Sequence, residues 1–415
     1  MNVDNNSSVE RSRNIPKGWV ETTLGEVGLL ARGKSKHRPR WASHLFGGKY
    51  PFIQTGQVKS AQKYITTYEQ TYSDDGLAQS KLWNEGTLCI TIAANIAEIA
   101  ILGIPACFPD SVLGFIPDKE KSDLDFIYYY FSIIQARLRQ LAIGSVQDNI
   151  NLGTFDKIVF TLPPLKEQVA IAQILTSFDD KIALLQAQNN TLETTAQTIF
   201  KEWFGKYQIG DELPDGWRVG KLSEIGKIIC GKTPSKSNKE YYGNDIPFIK
   251  IPDMHNQMFI INTIDNLSLL GANSQKKKII PANSICISCI ATVGLVSLTI
   301  KDSQTNQQIN TIIPNDEFLR EFLYFKLSKM TKYLNDLGSG GTATLNVNTS
   351  TFSNIEIVIP NEEKLDDFHL IVKPVIDKIL DNSTQIQTLK KTRDTLLPKL
   401  MSGQIRVDEF KEPAI

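Results

Sequence analysis

Apolar residues recur at alternating steps of four and three in two separate stretches of the chain. In residues 165–204 the positions that follow these steps are Ile171, Leu175, Phe178, Ile182, Leu185, Asn189, Leu192, Ala196, Ile199 and Trp203. The same steps return 197 residues later at Phe368, Val372, Val375, Ile379, Asn382, Ile386, Leu389, Arg393, Leu396 and Leu400. This spacing is typical of the a and d positions of a coiled coil. The sequence therefore predicts two long helices, which we expect to pair as an antiparallel coiled coil because one chain holds both at high effective concentration.

Two asparagines and a proline bear on how the predicted helices align. If the two seams overlap from end to end, Asn189 lies opposite Asn382, and such a polar pair fixes the register at some expense in stability. Pro374 complicates this alignment, because proline belongs in the first turn of a helix. Its counterpart Ser177 forms a candidate capping box with Asp180, so both helices restart there in this interpretation. The alternative to a coiled coil is that each amphipathic helix lies on its own domain.

The sequence outside these helices is also repeated. Residues 15–19 read IPKGW and residues 213–217 read LPDGW, while the tripeptide PFI occurs at both 51–53 and 247–249. A repeat of this length is a whole domain with its helix, copied once. Stretches rich in β-branched residues predict strands at residues 51–54, 87–92 and 157–162, and helices are expected at residues 124–141 and 317–336.

The predicted fold is therefore α+β, with two similar globular domains separated by two long helices and related by an approximate twofold axis. The expected boundaries are a disordered tail at residues 1–14, a first domain at 15–164, a central helix at 165–207, a second domain at 208–360, a C-terminal helix at 361–405 and a tail at 406–415.

Composition narrows the class of protein without identifying a ligand. The chain has 415 residues, of which 41% are hydrophobic and 22% charged, and its formal net charge is zero. Any affinity for nucleic acid must therefore come from local patches. The five irregularly spaced cysteines do not suggest a secreted disulfide framework, and no signal peptide or membrane span is expected. We therefore expect a cytoplasmic protein.

Basic residues are concentrated near the start of the first domain. No acidic residue lies between Glu26 and Glu69, whereas eight basic residues do: Arg32, Lys34, Lys36, Arg38, Arg40, Lys49, Lys59 and Lys63. Such a segment predicts contact with DNA phosphates. Its polar neighbours that could also contact phosphates or base edges are Ser35, His37, Tyr50, Gln54, Gln57 and Tyr64. The alternative is a solvated basic loop.

The second domain carries a less basic version of this segment. Its candidate DNA-binding residues are Lys232, Thr233, Ser235, Lys236, Lys239, Tyr241 and Tyr242. A further pair of corresponding segments contains Gln147, Asn149 and Asn151 in the first domain and Thr344, Asn346 and Asn348 in the second. These amides either read bases or cap turns, and the sequence favours neither.

Two motifs suggest an enzyme, but their context argues against it. Residues 28–35 and 226–233 both fit the G-x-x-x-x-G-K-[ST] phosphate-loop pattern, which requires a helix directly after the lysine. Pro39 and Pro234 instead predict an irregular loop in each copy. Cys286 and Cys289 have C-x-x-C spacing with no second pair or histidine cluster nearby, so buried strand cysteines are expected and no metal site is predicted. We find no residues suited to methyl transfer, S-adenosylmethionine binding or nuclease chemistry.

Several longer stretches resemble one known family. They are residues 33–40 (GKSKHRPR), 47–56 (GGKYPFIQTG), 93–98 (AANIAE), 105–111 (PACFPDS), 163–168 (PPLKEQ), 231–235 (GKTPS) and 241–248 (YYGNDIPF). Over essentially its full length the chain resembles the specificity subunit of type I restriction-modification enzymes. The resemblance implies two target-recognition domains, each reading half of a split DNA sequence, and two helical segments on which methyltransferase subunits dock. The chain departs from the family pattern at residues 361–364, where NEEK replaces the PLKEQ element.

The sequence therefore predicts a non-catalytic DNA-recognition subunit of a bacterial or archaeal defence system. The resemblance implies that S-adenosylmethionine, ATP and Mg²⁺ are bound by partner subunits and not by this chain. The expected partners are double-stranded DNA, two methyltransferase subunits, and restriction subunits that translocate and cut DNA. The alternatives are a nucleotide-dependent enzyme that uses the two phosphate-loop patterns, and a similar adaptor in a different defence assembly.

Overall fold

The computed structural model describes residues 15–143, 152–155, 157–339 and 345–407. The chain divides into two compact units, each built from two stretches of sequence. Unit 1 comprises Met1–Lys181 and Leu389–Ile415, and unit 2 comprises Ile182–Thr388. Each unit therefore contains one globular domain together with parts of both long helices.

Unit 1 combines three small sheets with one long domain helix. Its strands are β1 (Val20–Thr22), β2 (Gly28–Arg32), β3 (Phe46–Phe52), β4 (Tyr64–Ile65), β5 (Gln70–Tyr72), β6 (Leu82–Trp83), β7 (Leu88–Thr91), β8 (Ile99–Leu102), β9 (Ala106–Cys107), β10 (Val112–Pro117) and β11 (Phe160–Leu162). Its helices are α1 (Leu24–Val27), α2 (Thr55–Ser60), α3 (Asp74–Ala78), α4 (Leu124–Ile143), α5 (Leu152–Phe155) and the first part of α6 (Leu165–Phe204). The largest sheet has the strand order β2-β10-β7-β8-β4.

Unit 2 repeats this arrangement. Its strands are β12 (Arg218–Lys221), β13 (Gly226–Cys230), β14 (Tyr242–Ile249), β15 (Phe259–Ile260), β16 (Asp265–Leu267), β17 (Ile285–Ser288), β18 (Val296–Thr299), β19 (Gln304–Thr305), β20 (Ile309–Pro314) and β21 (Glu356–Ile359). Its helices are α7 (Leu222–Ile225), α8 (Leu269–Asn273), α9 (Leu319–Lys329), α10 (Thr331–Gly338), α11 (Thr349–Ser353), the second part of α6, and most of α12 (Glu362–Met401).

The two largest sheets confirm the duplication that the sequence predicts. In unit 2 the strand order is β13-β20-β17-β18-β15, which matches the order in unit 1 strand for strand. In both sheets the last pair is parallel, β4 with β8 and β15 with β18, and the other pairs are antiparallel. The expected α+β class is also confirmed.

In unit 1 both long helices contribute to the core of the domain. Ile171 and Leu175 of α6 and Leu400 of α12 are almost fully buried in one apolar cluster with Phe126 of α4 and Phe160 of β11. Burial of such side chains is the main favourable term in folding. The long helices therefore contribute to the domain core in addition to packing against each other.

In unit 2 the helix α6 buries apolar residues that the predicted heptad seam does not include. Phe200 and Phe204 of α6 are buried and pack against Phe322 of α9 and Phe368 of α12, although neither belongs to the predicted seam. The seam residue Trp203 is only partly buried. The helix thus carries a second apolar stripe, which packs against both the domain and α12.

A polar contact joins α6 and α12 within unit 2. Asn382 is fully buried, and its Nδ2 donates hydrogen bonds to Asn189 Oδ1 at 2.9 Å and Gln188 Oε1 at 2.9 Å. Asn189 Nδ2 in turn donates to Ser383 Oγ at 3.1 Å. The expected asparagine pair is thus present. Within the described residues Asn382 Oδ1 has no partner, which agrees with a contact that fixes register at some expense in stability.

The expectation that both helices restart near Pro374 and Ser177 is wrong. The helix α12 runs from Glu362 to Met401 without interruption, and α6 is continuous through Ser177. Pro374 and Leu370, whose carbonyl group the missing N–H of Pro374 leaves without a helix partner, are both exposed residues. The Ser177 hydroxyl donates to the Ile174 carbonyl at 2.7 Å and so does not cap a helix.

A polar network attaches the domain of unit 1 to both long helices. The Tyr129 hydroxyl of α4 donates to Asp179 of α6 at 2.5 Å, and Asp179 also pairs with Arg393 of α12. Arg393, which fills an apolar seam position in the sequence, therefore has a partner directly across from it. None of the helices in the described ranges is long and apolar enough to cross a membrane.

Replacing Asn382 by leucine should destabilise the chain, because Asn189 Oδ1 and Gln188 Oε1 then lose the hydrogen-bond donor that they share. We expect a loss of about 1–3 kcal/mol in the free energy of unfolding, measured by urea denaturation. The double substitution of Asn189 and Asn382 by leucine should recover that loss, since two apolar side chains then face each other. A double variant less stable than Asn382→Leu would show that the pair does not act as a unit.

Candidate nucleic-acid interface

The basic segment of unit 1 begins where the edge strand β2 ends. The Gly33 N–H donates to the Val112 carbonyl at 2.9 Å, and the Lys34 N–H donates to the Phe108 carbonyl at 3.1 Å. These bonds hold the backbone against the neighbouring strand and leave the side chains facing outward. The exposed basic residues are Arg32, Lys34, Lys36, Arg38, Arg40, Lys49 and Lys59.

The local backbone structure rules out a phosphate loop in either unit. The residues between the two motif glycines form strand β2 in unit 1 and strand β13 in unit 2, and no helix follows either lysine. A Cβ atom at Gly33 would overlap the carbonyl oxygens of Phe108 and Pro109, and one at Gly231 would overlap those of Thr305 and Asn306. The second glycine of each motif is therefore needed for close approach of two backbone segments and not to surround a phosphate.

Two of the arginines in the segment have partners within the chain. Arg38 Nη1 donates to the carbonyl groups of Ser35 and His37, both at 2.8 Å, and Arg40 forms an ion pair with Asp110 at 3.0 Å. The His37 N–H donates to Gln79 Oε1 at 3.0 Å, while Ser35 is buried. These contacts brace the loop, so its shape depends on the arginines themselves.

The remaining cations at the start of the segment are not neutralised. Among the residues that the structure describes, Arg32, Lys34 and Lys36 have no acidic group within 4.0 Å. The Lys49 ammonium lies 5.2 Å from the centre of the Tyr50 ring. This surface is therefore suited to a polyanion such as DNA.

Lys63 does not belong to the basic surface, contrary to the sequence-based expectation. It is only 6% exposed, and its ammonium lies 3.0 Å from Asp125 of α4 and 2.9 Å from Thr176 of α6. The rings of Tyr64 and Tyr129 also lie within about 5 Å of it. The charge of Lys63 is used to attach the domain to the long helix.

The candidate base-reading side chains of unit 1 are half-buried and already hydrogen-bonded. The Tyr50 hydroxyl donates to Asp74 at 3.0 Å, and Gln54 Nε2 donates to Gln70 Oε1 at 2.9 Å. Gln57 Oε1 accepts from the Gln54 backbone N–H at 3.0 Å and so caps α2. These hydrogen bonds fix the orientation of each of the three side chains.

The corresponding loop of unit 2 follows β13 and is braced differently. Lys232, Ser235, Lys236 and Lys239 are exposed, and Tyr241 is half-buried. Further contacts within the loop are the bond from Thr233 to Gln307 Oε1 at 2.6 Å, the bond between Ser235 and Ser237 at 2.7 Å, and the bond from Tyr242 to the Pro234 carbonyl at 3.1 Å. The two domains thus present basic loops at the same topological position with different side chains around them.

The amide-rich segments are described in part. Asn348 Oδ1 accepts from the Thr351 N–H at 2.9 Å and caps α11, so this side chain has the capping role that the sequence left open. Asn346 is exposed, and its backbone N–H donates to Gly338. The other candidates, Gln147, Asn149, Asn151 and Thr344, lie outside the described residues.

The C-x-x-C pair, Cys286 and Cys289, provides no reactive thiolate. Burial raises the pKa of Cys286 to about 12 and that of Cys289 to about 11, so both remain thiols at neutral pH. Within the described ranges no group of three or more histidine, cysteine or acidic residues could hold a metal ion.

Sequence reasoning missed two residues of this surface. Asp110, which pairs with Arg40, lies 70 residues away in the chain, and no local signal connects the two. Trp41 is 63% exposed in the middle of the basic segment. An aromatic residue among exposed cations was visible in the sequence and is a recognised feature of nucleic-acid surfaces.

Comparisons with known proteins agree with this architecture. The family model described as "Type I restriction modification DNA specificity domain" matches twice, at residues 16–194 and 214–398. The chain is 46% identical over 330 residues to the type I restriction enzyme HindI specificity subunit of Haemophilus influenzae. The aligned region covers 61% of this chain and 72% of that protein. It is 26% identical over 422 residues to the MjaIX specificity subunit of Methanocaldococcus jannaschii, with 95% of each chain covered.

A solved structure shares the fold. The type I restriction-modification S subunit from M. genitalium superposes with a TM-score of 0.63 at 17% sequence identity, covering 94% of this chain and 98% of that one. Together with the two family matches, which cover most of the sequence, these similarities establish the family. The chain belongs to the type I restriction-modification DNA specificity family and is a specificity subunit, the non-catalytic DNA-recognition component of such systems.

Proposed function

We propose that this specificity subunit reads a bipartite DNA target, with one half-site bound by each unit. One observation carries the proposal. In each unit, the loop that follows the edge strand of the five-stranded sheet bears exposed lysines. Different side chains surround the two loops, so the two half-sites would differ in sequence. Phosphate contacts from the lysines would supply affinity, and side chains that reach base edges would supply specificity.

We also propose that methyltransferase subunits dock on exposed faces of α6 and α12. Leu184, Leu370 and Ile371 are 61%, 64% and 48% exposed, which is unusual for large apolar residues on packed helices. The PPLKEQ element at the start of α6 is less available. Gln168 is fully buried and bonded to the backbone of Lys121, Pro163 and Asp123, so it holds the helix in its own domain.

The proposed partners include double-stranded DNA, two methyltransferase subunits and restriction subunits, in the cytoplasm of a bacterium or archaeon. S-adenosylmethionine, ATP and Mg²⁺ would then be bound by the partners. A similar adaptor in another defence assembly is the second candidate, and isolation of the native complex from cells distinguishes the two by the identity of the co-purified subunits.

The proposal is tested by mapping methylated bases in DNA from cells that express this chain with the methyltransferase encoded beside it. We expect one split sequence with a fixed spacer to be methylated, and no such sequence when this chain is omitted. Methylation of a continuous sequence, or of the same sites without the chain, would contradict it.

Replacing Lys34 and Lys36 by alanine should weaken DNA binding and flatten its dependence on salt, because both residues are exposed and have no acidic partner in the described part of the chain. The slope of log K against log salt should fall by about one unit for each phosphate that the variant no longer neutralises. Lys119, which is exposed outside the basic segment, provides the matched control and should leave the slope unchanged on replacement by alanine.

The Arg38 and Arg40 variants should lower affinity too, but with loss of loop structure, because both side chains brace the loop. An unchanged slope in the double lysine variant would remove the segment from the interface.

Lengthening the helix pair should lengthen the preferred DNA spacer. Four residues inserted after Ala187 in α6, with four inserted after Thr384 in α12, add about 6 Å of helix, which corresponds to roughly one to two base pairs. The methylated sequence, read from whole-genome mapping, should keep both halves and gain those base pairs. Four residues inserted after Gly210, which lies between α6 and β12, should leave the spacer unchanged. A constant spacer in the first variant would show that the helices do not set it.

A further inference from the structure

Trp41 is exposed in a way that the fold does not explain. It is 63% exposed, whereas Trp19 and Trp83 are buried at 5% and 1%, and the remaining two tryptophans, Trp203 and Trp217, are partly buried. A large apolar ring left in water is unfavourable. The position of Trp41 in the basic segment of unit 1 therefore calls for a reason other than packing.

The ring of Trp41 is held in place by an aromatic column. It stacks on Phe46 with ring centres 5.8 Å apart and an interplanar angle of 14°. Phe46 contacts Tyr72 and Phe52 at 5.2 and 6.0 Å, and those two rings are buried and stacked on each other at 4.1 Å. The column begins in the core of the domain and ends at an exposed indole, which is thus presented with little conformational freedom to lose on binding.

Unit 2 builds the same loop without this residue. The short 3-10 helices Ser43–Leu45 and Lys239–Tyr241 occupy equivalent places before β3 and β14, which makes Ser237 the counterpart of Trp41. The Ser237 hydroxyl is bonded to Ser235 within the loop. Because a small polar residue suffices there, the fold does not require an indole at this position.

The charges around Trp41 indicate what covers it. Lys34 and Lys36 are exposed without acidic partners in the described part of the chain, and no acidic residue lies in the segment itself. A segment with an exposed apolar ring and exposed lysines is complementary to a polyanion that also has apolar groups, and DNA has both in its phosphates and in its sugars and thymine methyl groups.

We propose that Trp41 makes the apolar contact between unit 1 and its DNA half-site, with its exposed face packed against deoxyribose or a thymine methyl group. The inference rests on the proposed function, since it assigns one residue of the same interface. It gives unit 1 a component of affinity that unit 2 obtains in another way. An apolar contact displaces no counterions, so this component does not depend on salt concentration.

The test is the binding of a duplex that carries the mapped target, measured over a series of salt concentrations for the purified chain with its methyltransferase subunits. Trp41→Ser, which copies the unit 2 residue, should weaken binding about ten- to thirtyfold at every salt concentration, as for the loss of one well-packed aromatic anchor. The slope of log K against log salt should remain that of the wild type. Trp41→Phe should retain most of the affinity, and Val20→Ala, which alters a residue 59% exposed outside the segment, serves as the control.

Quenching of tryptophan fluorescence by acrylamide provides a second readout that does not depend on a loss of affinity. The difference between wild type and Trp41→Phe isolates the signal of Trp41, and the target duplex should protect that signal. Wild-type affinity in Trp41→Ser, a flattened salt slope in that variant, or an unprotected Trp41 would each overturn the inference while target binding by the wild type stands. Failure of the wild type to prefer the target over a scrambled duplex would overturn the proposed function as well.

Discussion

The antiparallel packing of α6 against α12 is the constraint on which the rest of the structure depends. In unit 2 the buried Asn382 donates to Asn189, and this contact determines which turns of the two helices face each other. In unit 1 the ion pair between Asp179 and Arg393 also joins these two helices. Because apolar residues of both helices enter each domain core, a shift of register would disrupt two cores and not only a helix pair.

The charges of this chain have two separate uses. At corresponding positions in the first turn of α4 and α9, an acidic residue faces inward and is neutralised by a basic one. Asp125 pairs with Lys63 at 3.0 Å, while Glu321, which is 1% exposed, accepts from Arg320 Nε at 2.8 Å and lies 2.7 Å from His369 Nδ1. His369 belongs to α12, so this buried cluster joins the second domain to the long helix, and removal of one partner would leave a costly unpaired charge. The exposed lysines of the two loops have no acidic partner among the described residues, so a chain of zero net charge can still present basic surfaces.

Much of the fold was predictable from the sequence, because it rests on local periodicity and on repetition. The steps of four and three gave the two helices, and the repeat of about 197 residues gave two equivalent domains. What could not be predicted depends on contacts between distant residues. Lys63 looks like a surface lysine until Asp125 and Thr176 are placed beside it, and Phe200 and Phe204, which the predicted seam leaves out, are recognised as buried only when the residues that cover them are known.

The candidate site was predictable to a smaller extent. The lack of acidic residues around Lys34 and Lys36 is a property of the sequence, and the structure leaves both side chains exposed. The bracing roles of Arg38 and Arg40 could not be read in advance, because their acceptors are backbone carbonyl groups and a distant carboxylate. Asn348 caps a helix, and the sequence could not predict this role. An asparagine that caps a helix and one that reads a base look the same in the sequence.

We propose that each unit reads one half of a split target independently of the other. The most direct measurement is to replace residues 15–164 by the corresponding domain of a relative that methylates a different sequence, and to map the methylated bases genome-wide. We expect one half of the target to change to that of the relative, while the other half and the spacer are retained. A change in both halves, or loss of the split pattern with the chimaera still folded and assembled, would contradict it.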